Sequence, residues 1–383
     1  MTTDSPQNQK LRVLIAGGGV AALETALALH DLAPELTEVS IVAPGQELVY
    51  RPMTVREPFA MERARRYPLA VIVAAAGAEL IADELEWIDV GSRAAHTKSG
   101  GALPYDALMV ALGAQAKPRY EHAITIDDRR LDEQLHGLIQ DVEEGYVKSL
   151  AFVSPGRMPW QLPLYELALL TAGRAYDMDV ELEVTIVTPE DSPLAIFGAG
   201  ASNGVAAVLE RAKIRTITSA YAEIPRTGEV VINPGDRRLH VDRVIALPEL
   251  YGPGLRGLPL HEHGFLRVDP FGRVIGTDRV YAAGDIIEFP VKQGGLASQE
   301  ADAAAESIAA LAGAAIEPKP FDPVIRGMLL TAEAPLYLTA KIAGGKGFSS
   351  ELTDKPTWSP PSKIASRYLA PCLARLDGQQ TSA

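Results

Sequence analysis

Cysteine is almost absent from this chain: among 383 residues only Cys372 is one. An internal disulfide and a CxxC redox pair are thereby excluded. Basic residues are in deficit, with 36 Lys and Arg against 49 Asp and Glu and a formal net charge of −13. The resulting pI is about 5.1. That balance argues against a nucleic-acid partner, because phosphate binding needs clustered Lys and Arg. The 7 histidines show no metal-ligand spacing, and His261 and His263 stand too close for a helical pair, so no metal is implied. No uncharged apolar run approaches the roughly 20 residues that span a bilayer. Met1 to Lys10 is polar and lacks the apolar core of a signal peptide, so a cytoplasmic location is expected. No repeat of solenoid period is present.

Hydrophobic residues make up 47%, ample for large cores, and the length favours two domains or three. Two glycine-bearing fingerprints lie far apart. The first is Ile15-Ala16-Gly17-Gly18-Gly19-Val20-Ala21-Ala22-Leu23-Glu24, directly after the buried-strand pattern Leu11 to Ile15. Gly17 permits a tight turn, Gly19 permits close approach of a pyrophosphate, and Ala22 lets helix and strand pack closely. The predicted helix, Ala21 to Ala33, points free amides and its positive dipole end at that pyrophosphate. The second fingerprint is Arg279-Val280-Tyr281-Ala282-Ala283-Gly284-Asp285. Together they read as the two ends of one FAD site. One part is missing: the acid that ends the second strand and holds a ribose is replaced by Ala43. Backbone groups, or Gln46 and Glu47, are the substitutes to consider.

The remaining pattern predicts two α/β units. After a loop-rich stretch from Val49-Tyr50-Arg51-Pro52 come an Ala- and Val-rich segment (Tyr67 to Gly77) and short alternating runs at Leu85 to Val90 and Ala94 to Thr97. Tyr105 to Ala114 reads as a buried strand ending in a Gly turn. A second unit follows: helix Leu131 to Glu144, strand Ser149 to Val153, helix Pro163 to Tyr176, strand Leu182 to Val187, helix Val205 to Ala212 and strand Arg215 to Thr218. That alternation argues for a second parallel sheet. Val241 to Leu247 and Phe265 to Val280 are expected to lead back into the first unit, before an Ala-rich helix from Gln299 to Leu311. The expected division is a discontinuous FAD-binding domain, 9–118 with 238–316, a second Rossmann-like domain, 119–237, and a C-terminal region, 317–383, rich in Pro and Gly. The fold class is α/β, with two Rossmann-like three-layer domains and a small C-terminal region.

These pieces, to about residue 312, resemble the two-dinucleotide-binding-domain flavoproteins of the pyridine nucleotide-disulfide oxidoreductase superfamily. Within it the chain is most similar to the sulfide:quinone oxidoreductase and flavocytochrome c sulfide dehydrogenase group. Pro163-Leu164-Tyr165-Glu166-Leu167-Ala168-Leu169-Leu170, Thr188-Pro189-Glu190 with Phe197-Gly198, and Lys292-Gln293-Gly294-Gly295-Leu296-Ala297 carry that likeness. Type II NADH dehydrogenases share the scaffold. The departures concern the chemistry. The group's sulfur-carrying cysteines are absent, and Trp160 stands near the place of one; a thiolate nucleophile has no ready substitute. Cysteine-based sulfide oxidation, disulfide reduction and cysteinyl flavin attachment are therefore not expected. The second-domain turn, Ser154-Pro155-Gly156-Arg157-Met158-Pro159-Trp160, has one Gly and two Pro, which weakens a phosphate cradle. Arg157 offers a bidentate phosphate contact in compensation.

The resemblance implies non-covalent FAD touching Gly17, Gly19, Val20, Ala21, Ala22, Ala43, Arg51, Ala111, Gly113, Gly284, Asp285, Lys292, Gly295 and Leu296. It leaves NAD(P)H binding open. Lys292 is the candidate to stabilise reduced flavin, against an ordinary surface lysine. Glu166 is the candidate acid near the ring, against a first-turn Glu favoured by the helix dipole. Tyr50 is set against loop packing, and Trp160 and Trp358 against core packing. The expected function is electron transfer from a small-molecule donor through flavin to a quinone or other small acceptor. The alternatives are an NAD(P)H-dependent reductase and a non-catalytic flavin- or partner-binding protein. The basic amphipathic segment Lys363 to Leu376 is read as a homodimer contact or a helix docked on the flavin domain, with peripheral membrane contact the lesser alternative.

Overall fold

The computed structural model describes residues 9–343 and 346–380. The first eight residues of the polar stretch Met1 to Lys10 lie outside the described residues, as do the last three of the C-terminal region.

A five-stranded parallel sheet runs in the order Val280–Ala282, Ala107–Val110, Leu11–Ala16, Thr37–Val42, Glu79–Ile81. The strand Ala107–Val110 and residues 13–16 of Leu11–Ala16 are apolar without alternation because both faces are covered. One face carries helices α1 (Val20–Leu32) and α2 (Leu69–Ala75). The other carries a small antiparallel sheet, Leu85–Asp89, Ala94–Thr97 and Ala102–Pro104.

A second five-stranded parallel sheet has the order Ile124–Thr125, Arg243–Ala246, Ser149–Val153, Glu183–Val187, Arg215–Ile217. Helices α3 (Leu131–Glu143), α4 (Leu162–Asp177) and α5 (Ala199–Arg211) accompany it. A three-stranded sheet, Tyr221–Arg226, Glu229–Asn233 and Arg237–His240, packs on its other face. The fold is thus two Rossmann-like three-layer units. Val241 to Leu247, expected to lead back to the first unit, instead supplies Arg243–Ala246 to the second sheet, paired with Leu150–Val153. An apolar run this short fits the interior of either sheet, and only the chain path decides.

Helix α6 (Gly294–Leu311) begins five residues before the expected Gln299 and packs along α1. The Pro- and Gly-rich C-terminal region contains an antiparallel sheet that the sequence pattern did not suggest: Val324–Leu329, Leu336–Ala343 and Lys346–Thr353. Helix α7 (Leu369–Gln380) closes the described chain. The expected basic amphipathic segment is helical only from Leu369, and Leu369, Cys372 and Leu373 are buried with residues of α1 and α6. Among the described residues no helix is long and apolar enough to cross a membrane.

Candidate functional site

The two fingerprints meet at the carboxyl ends of the first sheet's strands. Gly17 has φ +122°, and a Cβ there would lie 2.3 Å from the Ala111 carbonyl oxygen. The glycine therefore lets the turn press against the strand that ends at Ala111. A Cβ on Gly18 would touch Ala43 and Leu69. A Cβ on Gly19 would meet nothing within 4 Å, so the chain at the N-terminus of α1 borders open space. No side chain caps α1, and the Leu23 amide, on the Gly19 carbonyl, opens its ladder. The preceding amides, Val20 to Ala22, are those a helix start leaves for an anion. Gly284 closes the cradle from the far end of the chain: a Cβ there would lie 3.2 Å from that of Ala21. Gly113 has φ +72° and opens onto space as well.

Charge gathers beside the cradle. Asp285 is half-buried, and no described residue hydrogen-bonds its carboxylate. Burial pushes its carboxyl above the usual range, while Lys292 and Arg51 pull it down and Asp128 adds to the rise. Arg51 is exposed and lies 3.8 Å from Asp128. Lys292 is buried, donates to the Ile287 carbonyl, and sits 4.5 Å over the Phe265 ring. Burial lowers its ammonium against the opposing pull of Asp285 and Glu300. It is no ordinary surface lysine. Glu300, absent from the sequence candidates, accepts the Gly284 amide at 2.8 Å. Its carboxyl is pushed up to about 8 by burial. Its signal was an acid inside the Ala-rich run of α6.

Other expected residues serve packing. The Glu166 carboxylate is fully buried, accepts the Leu330 amide at 2.9 Å, and is paired with Lys363. Its oxygens are occupied, so it acts as an anchor for the C-terminal segment rather than an acid open to the cradle. Tyr50 accepts the Ile364 amide at 2.9 Å. Ile364 lies against Gly294, and the Ala365 carbonyl lies 3.3 Å from where a Gly295 Cβ would stand. The start of α6, with Gly295 and buried Leu296, is therefore covered by that segment. Ala43 is buried and its amide bonds Ile81. Glu47, its suggested substitute, is exposed beside Arg66. Trp160 leans on Phe197 at 5.9 Å, and Trp358 on Tyr337 at 5.4 Å. Glu24, also unforeseen, is buried on α1 and accepts the amides of Arg367, Tyr368 and Leu369 at the start of α7.

The equivalent turn of the second sheet is built differently. Eight residues, Ser154 to Gln161, separate strand and helix. Pro163 has no amide, and that of Leu164 is taken by the Gln161 carbonyl. A Cβ on Gly156 would lie 3.0 Å from the Tyr221 ring. Glu190 stands where an acid would hold a ribose, yet its Oε2 accepts from the Tyr165 hydroxyl at 2.7 Å and from Thr188 at 3.0 Å.

The fold thus joins two parallel sheets, with a glycine-lined turn at the start of α1. The family model described as pyridine nucleotide-disulphide oxidoreductase matches residues 166–307. An NADH dehydrogenase-like protein of Mycobacterium tuberculosis (strain CDC 1551 / Oshkosh) is 27% identical over 307 residues, 72% of each chain. Among solved structures, the sulfide:quinone oxidoreductase of Aquifex aeolicus superposes with a TM-score of 0.77 at 16% identity, over 90% of this chain and 87% of that one. A ferredoxin reductase of Rhodopseudomonas palustris gives 0.64 at 19% identity, over 87% and 83%. Over residues 166–307 the chain is similar to the pyridine nucleotide-disulphide oxidoreductase family, its fold is that of the two-domain flavoprotein oxidoreductases, and it is a flavin-dependent oxidoreductase.

Proposed function

We propose that the protein holds non-covalent FAD across the Gly17–Gly19 and Gly284–Asp285 cradle and passes electrons through it to a quinone or other small acceptor, without cysteine chemistry. The observation that carries this reading is the convergence of an open α1 start with Gly284 and an unpartnered Asp285 carboxylate. FAD would supply the electron-accepting and electron-donating chemistry. The chain's residues do the holding. The amides of Val20 to Ala22 receive the pyrophosphate, and the Asp285 carboxylate accepts from cofactor hydroxyls. Lys292 and Arg51 offset the negative charge there. Lys292 is fixed by the Ile287 carbonyl and the Phe265 ring, so its charge is preorganised. Cys372 is buried in α7 and burial raises its thiol, which makes it a poor nucleophile.

A second reading, an NAD(P)H-dependent reductase, is favoured by the name of the mycobacterial relative. An anaerobic absorbance record separates the two. Under the first reading a flavin spectrum is present and stays oxidised with NADH and NADPH, then bleaches with another donor. Bleaching within seconds of adding NADH would establish the second. A colourless preparation that takes up no added FAD would overturn both.

A further inference from the structure

A cleft of about 730 Å3 opens between the second-sheet turn and the segments around 261–268 and 288–292. Pockets of this size suit small ligands. Apolar walls come from Phe265, Phe289 and Ile275, and Lys292 lies in the lining. The lining holds three cationic side chains, Arg157, Arg267 and Lys292, against the carboxylates of Glu262 and Glu288, and Glu288 is already answered by His261 at 2.8 Å and Arg267 at 3.6 Å. Arg157 is exposed in the same lining and has no ion-pair partner among the described residues. Its guanidinium lies 5.6 Å from the centre of the Tyr251 ring, which also holds the Lys117 ammonium at 4.6 Å. Two cations thus share one aromatic ring whose hydroxyl donates to Glu249, and Arg157, the one of them that lines the cleft, has no carboxylate within ion-pair distance among the described residues. An anion is what such a mouth recognises.

The dinucleotide position of the same unit is meanwhile shut by its own residues. Pro163 and the Gln161 carbonyl remove amides from the start of α4, the Tyr221 ring stands close against Gly156, and Glu190 is turned onto Tyr165. A pyridine dinucleotide does not fit those residues. We propose that this cleft binds a small organic anion with an apolar or aromatic body, its charged group on Arg157, rather than a pyridine dinucleotide. Arg157 then sets which molecules enter, and the apolar walls receive the body. The inference rests on the flavin reading only in taking this ligand as the redox partner; the binding itself does not need it.

The test uses naphthoquinone sulfonate as the probe, uncharged naphthoquinone as the control, and titration calorimetry on the protein as purified. Flavin content is recorded separately by absorbance. The sulfonate should bind more tightly than the control. R157Q should weaken the sulfonate about tenfold or more, as expected for loss of a charge-assisted hydrogen bond, and leave the control unchanged. R157K should restore part of the loss. I275W, at a half-exposed wall position, should block both probes. Millimolar NADH should not displace the sulfonate. Equal binding of the two probes, an unchanged sulfonate affinity in R157Q, or displacement by NADH would each overturn the proposal. A protein without flavin that still shows the Arg157-dependent binding would refute the cofactor reading and leave the cleft assignment standing.

Discussion

The Lys363 ammonium lies 2.7 Å from both oxygens of Glu166, 197 residues away in sequence, and both side chains are buried. The ammonium also donates to the Pro52 carbonyl at 2.9 Å. This pair joins α4 to the segment that covers the start of α6.

Breaking that pair from one side leaves an uncompensated buried charge. E166L and K363M should each cost about 3–5 kcal/mol of stability. The joint E166L/K363M replacement should be far milder than the sum, because apolar groups of similar volume can replace a buried ion pair. Denaturant unfolding of the four proteins measures the coupling. Additive losses would mean that the two charges do not act as a pair.

Gly19 offers a clean probe of the cradle. Its Cβ position is open and its φ is ordinary, so G19V should fold with its thermal midpoint nearly unchanged. The added methyls would stand where a pyrophosphate approaches. Flavin content per protein, read by absorbance, should fall at least tenfold. Full flavin retention in G19V would remove the cradle from the argument. G17V is a poorer test, because its Cβ would collide with the Ala111 carbonyl.

Asp302 on α6 has a buried oxygen with no hydrogen-bond partner, and burial pushes its carboxyl from 3.8 to about 8. A group whose folded pKa is raised stabilises the fold fully below its unfolded value, near 3.8, and loses that contribution as pH rises to about 8. D302N should flatten stability over that window and raise it at pH 8, by on the order of 1 kcal/mol. Urea midpoints across the window decide it. A parallel pH profile in D302N would show that another group controls the slope.

Cys372 should be dispensable. C372A removes one small buried atom, and its cost should stay near 1 kcal/mol. Electron transfer to a quinone should change less than twofold. The thiol should react with a disulfide reagent only after unfolding. A loss of turnover larger than tenfold in C372A would restore cysteine chemistry to the mechanism.

Much of the first α/β unit was legible in sequence for a local reason. The apolar run Leu11–Ala16, the glycines after it and the small residues of α1 each state their own conformation, since a tight turn and close packing depend on neighbours along the chain. Ser149–Val153 was equally plain, as a short apolar run between polar segments. Asp285 was singled out through its flanking pattern. Glu166 was singled out as an acid near the ring, and its pairing with Lys363 was not legible, because Lys363 lies far along the chain.

By itself, then, the sequence determined the two α/β units, the glycine turn of α1 and the absence of a redox cysteine pair, all of which depend on local pattern or composition. Only the tertiary structure decided that Arg243–Ala246 joins the second sheet. It also decided that Glu24 and Glu166 hold the C-terminal segment, and that Glu190 faces Tyr165 rather than solvent. Each of those rests on partners distant in sequence. A buried carboxylate takes its role from the donor that meets it, and that donor is chosen by the fold.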